Sequence, residues 1–421
     1  MVYEEDVVKR WISAFVVLIA ALAGIAPAQM PAPSDRVQRI DRVLQQYVDD
    51  TRLAGAVALV LRDGQPVYER AFGWSDKEAG RRMSVDTVFR IASQTKAITS
   101  TAILSLVDEG KIGVNDPVSR YIPAYAHTTV VARNESEPGP VAAKRPITIR
   151  DLLTHTAGIS YGTSRDVARL YEAKGLGPAA GYGWFTADKS EPICDTMERL
   201  ASLPFAAQPG EQWVYGYNTD ILGCVVERAS GMALDQFIRT RITEPLGLKD
   251  TQFFLPADRR ERLAAVYGSG SDGKIVRAPD GPKGQGTYVD GPRRSFSGGA
   301  GLLSTARDYA RFLEMIRNHG TLGGARILAP RTVSLMTTNQ VGTLHSPNGL
   351  GFGFGFETTD RYGANGMDAV GSFGWGGAYG TMYRVDPEAH LVIVLMIQML
   401  PNATDVGQKY PAMVYQAFVE Q

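Results

Sequence analysis

A serine and a lysine stand three residues apart in the segment SQTK, residues 93–96. The segment follows an extended stretch and opens a run of apolar residues at helical spacing. Because positions i and i+3 share one face of a helix, the Lys96 amine can reach the Ser93 hydroxyl. A serine becomes a nucleophile when a neighbouring base takes its proton, and a lysine can be that base. The pair alone equally fits a helix cap beside a solvated lysine.

A tyrosine that can relay protons lies in the segment PGEQWVYGYN, residues 209–218. The apolar spacing that follows predicts a helix, so Tyr215 stands at a loop-to-helix junction. A phenol hydroxyl both donates and accepts, and next to Lys96 it can pass a proton to a leaving group. Taken by itself, Tyr215 fits a packing aromatic better.

A glycine-rich stretch, GWGGAYGT at residues 374–381, enters a predicted strand. Glycines let a substrate approach the backbone closely. The backbone N–H of Ala378 can then act as an oxyanion donor beside the N–H of Ser93, which lies in the positive field at the start of its helix. The competing interpretation is a glycine-rich turn before a strand.

Other residues with chemical potential fit structural roles better. Residues 158–162, GISYG, match the nucleophile pattern of α/β-hydrolases, but that pattern needs a strand before its serine. Here residues 148–154 are predicted to be helical, with Thr148 and Asp151 as a capping box, so Ser160 is rejected. His155 is expected to hydrogen-bond to backbone. The other histidines have no metal-ligand spacing, and no P-loop or dinucleotide motif is present, so neither a metal nor a cofactor is predicted.

The elements that must position these residues come from both ends of the chain. Helical spacing predicts helices at residues 35–47, 93–110, 148–154, 195–203, 304–318 and 410–419, and strands are predicted at residues 56–61, 67–72, 350–356, 380–385 and 390–396. The first two strands flank Asp63 and Gly64, which favour a tight hairpin. We predict an α+β fold in which residues 29–118 and 295–421 form one discontinuous domain, with residues 119–294 inserted as a mostly helical domain.

Composition excludes several classes of partner. The chain has 421 residues, with 44 basic and 44 acidic side chains, and lacks long runs of either sign, so no nucleic acid partner is indicated. Cys194 and Cys224 are too few for a disulfide framework, and whether they form a single bridge stays open. Residues 1–28 resemble a secretory signal, which predicts a periplasmic or secreted enzyme. If this segment is not processed, two alternatives remain. Either the segment is an uncleaved anchor, which is the one membrane contact expected, or the enzyme is cytoplasmic.

The three chemical segments, in this order, resemble those of the serine β-lactamase and penicillin-recognising enzyme superfamily, and in particular the family VIII carboxylesterases. The resemblance spans residues 35–419 and includes the stretches LLTHTAG at 152–158 and SGGAGL at 297–302. It implies an antiparallel sheet flanked by helices, with the site between that sheet and the inserted helices. It also implies that Ser93 is acylated, that Lys96 is its base and that Tyr215 is the proton relay.

Two departures from the class C β-lactamase pattern favour esters over β-lactams. Where those enzymes have Lys-Thr-Gly, this chain has Trp375, Gly376 and Gly377, so the cation that grips a substrate carboxylate is missing. Where they have Tyr-Xaa-Asn, Asn218 falls one position late. The predicted substrate-binding residues are Trp375, Gly376, Gly377 and Tyr217.

The sequence therefore predicts a serine carboxylesterase that hydrolyses short-chain esters through an acyl-Ser93 intermediate, with weak β-lactamase side activity. Alternatives with the same machinery are a class C-like β-lactamase, a D-amino-acid peptidase and an acyltransferase. A module that is acylated by β-lactams without turnover is an alternative of another class. The expected partner is a small ester molecule, and the sequence gives no oligomeric state.

Overall fold

The computed structural model describes residues 35–132, 139–178, 187–281 and 285–419. The predicted signal segment, residues 1–28, lies outside these ranges. No helix in the described ranges has both the length and the apolar character needed to cross a membrane.

Helices and strands occur in runs along the chain. The strands are β1 (Gly55–Arg62), β2 (Gln65–Asp76), β3 (Arg81–Arg82), β4 (Phe89–Arg90), β5 (Thr129–Val131), β6 (Pro140–Ala142), β7 (Tyr267–Ser269), β8 (Ile275–Arg277), β9 (Leu303–Ser304), β10 (Thr321–Leu322), β11 (Ala325–Arg326), β12 (Leu350–Phe352), β13 (Glu357–Thr359), β14 (Phe373–Gly376), β15 (Met382–Asp386) and β16 (Leu391–Met396). The α-helices are α1 (Asp35–Asp49), α2 (Thr95–Asp108), α3 (Ile149–Leu153), α4 (Arg165–Ala173), α5 (Ile193–Ala201), α6 (Asn218–Ser230), α7 (Leu234–Ile238), α8 (Glu244–Leu246), α9 (Ala306–Arg317), α10 (Pro330–Thr337) and α11 (Val406–Phe418).

One antiparallel sheet joins both ends of the chain. Its strand order is β12-β13-β14-β15-β16-β1-β2-β3, so the last strand of the chain, β16, lies beside the first, β1. Both strands are almost entirely buried, because each face of the sheet is covered. Side chains such as Val57 face α2 and α9, whereas Ala58 and its neighbours on the opposite face contact α1 and α11. The predicted fold class, an antiparallel sheet flanked by helices, is confirmed.

The hairpin between β1 and β2 forms where its turn residues were predicted. Asp63 and Gly64 both have positive φ angles, of 52° and 75°. Two consecutive residues with positive φ match the right-handed twist of the flanking strands, which is why Asp-Gly favours this turn. The two strands extend the predicted ranges by a few residues at either end.

The predicted helix that opens at Ser93 has two parts. Residues Ala92–Gln94 form a 3-10 turn, and α2 begins at Thr95. Tighter 3-10 geometry is common in the first turn of a helix. Ala92 enters this turn with a φ of 42°, an uncommon angle for a residue that has a Cβ. Twelve of the fourteen residues of α2 are buried, so this helix passes through the interior of the protein.

Two terminal elements differ from their predicted bounds. The strand expected at residues 350–356 ends at Phe352, because Gly355 adopts a φ of 100° and turns the chain back toward β13. The alternating phenylalanines Phe352, Phe354 and Phe356 are nevertheless all buried. The last helix begins at Val406 rather than at residue 410, and Pro411 lies inside it.

The regular elements described between β6 and β7 are all helices, and one of them, α6, packs this region against α2. Helix α3 begins with the predicted capping box, in which Thr148 and Asp151 satisfy each other's backbone N–H groups. A disulfide between Cys194 of α5 and Cys224 of α6 joins two of these helices. The pairing that the sequence left open is therefore formed, and the loop it closes contains Tyr215.

Candidate active site

The structure brings the predicted nucleophile and base into contact. The Nζ atom of Lys96 lies 3.1 Å from the Ser93 hydroxyl oxygen. Only 2% of Lys96 is exposed, so the solvated lysine of the alternative interpretation is excluded. The same Nζ atom lies 2.8 Å from the Tyr161 hydroxyl oxygen and 2.7 Å from the Gly299 carbonyl oxygen. These three contacts define the environment of the buried amine.

The three contacts suit Lys96 in both of its protonation states. A charged ammonium donates three hydrogen bonds, and three acceptors are in place. A neutral amine has two N–H bonds, which the Tyr161 oxygen and the Gly299 carbonyl can accept, and one lone pair, which then faces the Ser93 hydroxyl. Lys96 can therefore take the proton of Ser93 without leaving a buried polar group unpaired. A buried polar group without a partner would cost about 1–3 kcal/mol.

Tyr215 reaches the site, but its hydroxyl is held by a different residue from the one predicted. The indole N–H of Trp375 donates to the Tyr215 hydroxyl oxygen at 3.1 Å. The ring of Tyr215 lies under the lysine, with 4.6 Å between its centroid and the Nζ atom of Lys96. Because the oxygen accepts from the indole, the hydroxyl proton of Tyr215 remains available for a substrate group.

Tyr161 is the residue that the sequence interpretation missed. It lies in the rejected GISYG segment, and its hydroxyl rather than that of Tyr215 contacts Lys96. Burial raises the pKa of Tyr161 well above its ordinary value, so this group stays a neutral phenol. Ser160 is buried, and its hydroxyl accepts a bond from the Gly162 N–H at 3.0 Å, away from Lys96. The available signal was a tyrosine three residues after the LLTHTAG stretch, which ends at Gly158.

The predicted oxyanion donors face the same cavity. Ser93 and Ala378 both line it. Ser93 stands in the first turn of its helix, where an N–H has no intrahelical acceptor, and in the described ranges the Ala378 N–H forms no hydrogen bond. Gly377 packs so closely against the nucleophile segment that a Cβ there would lie 2.4 Å from the Ile91 carbonyl oxygen. Glycine at this position therefore lets β14 approach Ser93.

The cavity has a volume of about 580 Å³. Its walls include Tyr161, Tyr215, Trp375, Gly376, Gly377 and Arg384. Tyr217, a predicted substrate-binding residue, is not among the lining residues. It is buried in the core, where its hydroxyl accepts from the Gly177 N–H at 3.0 Å and its ring packs edge-on against Tyr161. Its role is to support the site wall, because helix α6 turns this side chain inward.

Arg384, the one basic residue among the described residues that line the cavity, is already paired. Arg384 lies 3.3 Å from a carboxylate oxygen of Asp368 and 3.8 Å from one of Glu357. Two carboxylates therefore balance one guanidinium, and the wall offers no unpaired cation among the lining residues.

His155 differs from its expected bonding. Its Nδ1 accepts from the Asn218 side-chain amide at 2.9 Å instead of a backbone group, and its ring lies 4.7 Å from that of Tyr215. Burial, together with Lys96 and His345 nearby, lowers the pKa of His155 well below its usual range. His155 is thus a neutral packing group. No cluster of metal-ligating side chains occurs in the ranges that the structure describes.

Comparison with known proteins agrees with this fold. The model of the Beta-lactamase family matches residues 40–418. The chain is 36% identical over 375 residues to Esterase EstB of Burkholderia gladioli, covering 85% of this chain and 89% of that protein. It is 28% identical over 418 residues to a putative D-alanyl-D-alanine carboxypeptidase of Salmonella enteritidis, covering 91% and 88% of the two chains.

Among solved structures, one described as EstCE1, a hydrolase with promiscuous acyltransferase activity, superposes with a TM-score of 0.76 at 28% identity. The match covers 91% of this chain and 98% of the other. The chain belongs to the Beta-lactamase family. The similarities to EstB and EstCE1 confirm the predicted resemblance to the esterases of this family.

Proposed function

We propose that this protein is a serine carboxylesterase that hydrolyses short-chain, uncharged esters through an acyl-Ser93 intermediate. The observation that carries the proposal is the buried Lys96 amine, held by two other groups with its third position 3.1 Å from the Ser93 hydroxyl. A serine activated in this way is a nucleophile for acyl transfer. The similarity to proteins named as esterases supports ester carbonyls as the target.

The contacts support the following acylation sequence. Lys96 takes the Ser93 proton while the serine oxygen bonds to the ester carbonyl carbon, and the N–H groups of Ser93 and Ala378 stabilise the oxyanion. When the tetrahedral intermediate collapses, the ester C–O bond breaks and the alkoxide takes the hydroxyl proton of Tyr215. The proton that Lys96 took from Ser93 then returns to Tyr215. Water then attacks the acyl-enzyme by the reverse sequence, giving the acid and restoring the Ser93 hydroxyl.

The cavity walls support an uncharged substrate. Trp375 stands where class C β-lactamases have a lysine, and Arg384 is already paired with two carboxylates. A substrate carboxylate would have to compete with those partners or lie against the indole. Esters of simple alcohols avoid both costs, whereas β-lactams and peptide termini bring a carboxylate with them.

A second candidate function is acyl transfer to an alcohol other than water. It is favoured by the description of EstCE1, which names a promiscuous acyltransferase activity. The same acyl-Ser93 would serve both reactions, and the nucleophile that reaches it decides the product. A peptidase, a β-lactamase and a module that is acylated without turnover remain competing proposals, with the putative carboxypeptidase of Salmonella as a relative on the peptidase side.

The test compares wild type, Ser93→Ala and Ser160→Ala on p-nitrophenyl acetate, butyrate and octanoate, and on a chromogenic cephalosporin. We expect Ser93→Ala to lose at least about 10³-fold in kcat, as removal of a catalytic nucleophile does, and Ser160→Ala to stay close to wild type. Butanol added to the assay would reveal acyl transfer as butyl ester. Full activity in Ser93→Ala would refute the proposal, and a burst on cephalosporin without turnover would favour the acylated module.

We further propose that the enzyme acts outside the cytoplasm. The disulfide between Cys194 and Cys224 supports this location, because such bonds persist in oxidising compartments. N-terminal sequencing of enzyme from a fractionated producing cell would test it, and a mature chain that begins after Ala28 is the expected result.

A further inference from the structure

A buried carboxylate lies behind the lysine, on the side away from the cavity. Asp220 stands in the first turn of α6 and is 1% exposed. Its Oδ1 accepts a hydrogen bond from the Ser297 hydroxyl and a second, at 3.2 Å, from the Gly299 N–H. The Ser297 oxygen in turn accepts from the Ala300 N–H at 3.0 Å.

These bonds end on Lys96. The N–H of Ala300 and the C=O of Gly299 belong to one peptide group, and that C=O accepts from Lys96 Nζ at 2.7 Å. A continuous chain of hydrogen bonds therefore runs from the carboxylate through the serine hydroxyl and the peptide to the amine. In such a chain each bond polarises the next, so negative charge at one end makes the carbonyl at the other end a stronger acceptor.

We propose that Asp220 is a positioning residue for the reaction, an inference that rests on the proposed function. Acting through Ser297 and the Gly299 carbonyl, Asp220 fixes Lys96 against Ser93. It also stabilises the positive charge that Lys96 gains on deprotonating the serine. Asp220 does not line the cavity, so it does not contact the substrate.

Close packing keeps this chain in a single geometry. A Cβ added to Gly299 would lie 2.4 Å from Asp220 Oδ2 and 3.2 Å from the Tyr161 hydroxyl, and one added to Gly298 would lie 2.5 Å from the Thr219 carbonyl oxygen. Only glycines let the loop rest directly on α6. The glycine pair of the SGGAGL stretch thus has a physical reason.

A purely structural role would leave the buried carboxyl group of Asp220 unexplained. Burying a carboxylate is costly unless it is compensated, and burial raises the pKa of Asp220 against the opposing effects of Ser297, Lys96 and the Gly299 N–H. Within the described residues no basic side chain forms an ion pair with Asp220. The positive charge that Lys96 gains on deprotonating Ser93 is the one that Asp220 can compensate through the peptide.

The ionisable groups that face Lys96 come from three other segments of the chain. They are Tyr161, Tyr215, His155 and Asp220. The tyrosines and the neutral histidine carry no positive charge, and Asp220 is the carboxylate of the set. Its loss should therefore make the protonated amine, which forms during acylation, less stable.

The experiment measures the nucleophilicity of Ser93 without relying on an ester substrate. An alkyl fluorophosphonate forms a Ser93 O–P bond as the P–F bond breaks and fluoride leaves, and intact mass reports the adduct. We expect Asp220→Asn to slow this labelling roughly 10- to 100-fold, the range of a lost charged hydrogen bond. On p-nitrophenyl butyrate, kcat should fall with KM unchanged, and the acid limb of the kcat/KM profile should move to lower pH.

Ser297→Ala is the second variant, because it breaks the same chain while keeping the side chains of both Asp220 and Lys96. It should show the same changes to a smaller extent, and it decides the question if Asp220→Asn does not fold. Labelling within twofold of wild type in either folded variant would overturn the inference while leaving the esterase proposal intact. Absence of labelling in wild type would instead overturn both. A fall in kcat accompanied by a matching rise in KM and an unshifted pH profile would indicate a structural role and count against the inference.

Discussion

The contact between Tyr161 and Lys96 predicts that a single oxygen atom outside the recognised motifs controls the reactivity of the serine. Tyr161→Phe removes that oxygen and leaves the ring, which packs against the rings of Tyr215 and Tyr217. Lys96 then keeps two of its three partners, Ser93 and the Gly299 carbonyl. A neutral amine would have one N–H without a partner, or would turn its lone pair away from Ser93.

The size of the effect follows from the loss of one bond to a buried group that becomes charged during the reaction. Such bonds contribute about 1.5–3 kcal/mol. Because each 1.36 kcal/mol corresponds to a factor of ten in rate, kcat should fall by roughly 10- to 150-fold. Phenylalanine fits the same buried ring position, so the fold should lose no more than about 1–3 kcal/mol, the cost of the Lys96 N–H that is left unpaired.

The assay is steady-state hydrolysis of p-nitrophenyl butyrate, with thermal unfolding measured on the same preparations. Tyr217→Phe is the matched control, because Tyr217 packs on the same ring but its hydroxyl accepts from Gly177, far from the amine. We expect this control to stay within about threefold of wild type in kcat. Wild-type kcat in Tyr161→Phe would refute the reasoning. An equal loss in both variants would show that ring packing, rather than the hydroxyl, is what matters.

Three further predictions concern stability. Replacing Cys194 and Cys224 by serine opens a loop with a sequence separation of 30 residues. Because the unfolded chain then regains entropy, the free energy of unfolding should fall by about 3.6 kcal/mol. Urea unfolding with and without reductant measures this difference, and an unchanged midpoint would contradict the prediction. Burial raises the pKa of Asp151, but its bonds with Arg145 and the helix cap outweigh this and hold it below its ordinary value. Its contribution is therefore present above pH 4 and lost as the pH falls, so Asp151→Asn should cost about 1–3 kcal/mol at pH 7 and progressively less toward pH 2. Burial also raises the pKa of Asp368 to about 6. Because the folded protein holds this proton more tightly than the unfolded chain, stability is lost as the pH rises from 4 to 6. Asp368→Asn should therefore stabilise the fold by about 1–3 kcal/mol at pH 7 but not at pH 4. Urea midpoints at the two pH values would test this.

Elements with local signals could be predicted from the sequence. The turn at Asp63 and Gly64 needs two residues that accept positive φ, and the capping box at Thr148 and Asp151 needs a hydroxyl and a carboxylate three residues apart. Both requirements are met by neighbours in the chain, so both were identified correctly. The i, i+3 relation of Ser93 and Lys96 is of the same kind, and it holds even though a 3-10 turn precedes α2.

The rest of the site depends on contacts between distant segments. Tyr161 follows Lys96 by 65 residues, and the Gly299 carbonyl follows it by 203. Helical spacing cannot specify which tyrosine hydroxyl reaches an amine, because that depends on how the loop after α3 folds over α2. The sequence therefore identified a lysine with a tyrosine partner and chose Tyr215, the one at the start of a helix. The prediction that Tyr217 lines the substrate site failed for the same reason. Tyr215 faces the cavity, whereas the side chain of Tyr217 faces the core.

The substitution of tryptophan for the lysine of class C β-lactamases has a second consequence that the sequence comparison did not reveal. The absent cation was expected to change only which substrates bind. In the structure, the indole N–H of Trp375 is also the group that orients the Tyr215 hydroxyl, and its ring packs at 5.6 Å from that of the tyrosine. In the proposed mechanism, Trp375 therefore links substrate selection to the proton relay. A lysine at this position would restore a cation and replace the rigid indole donor by a flexible ammonium donor, so in the proposed mechanism the change would affect the orientation of the relay as well as the charge of the wall.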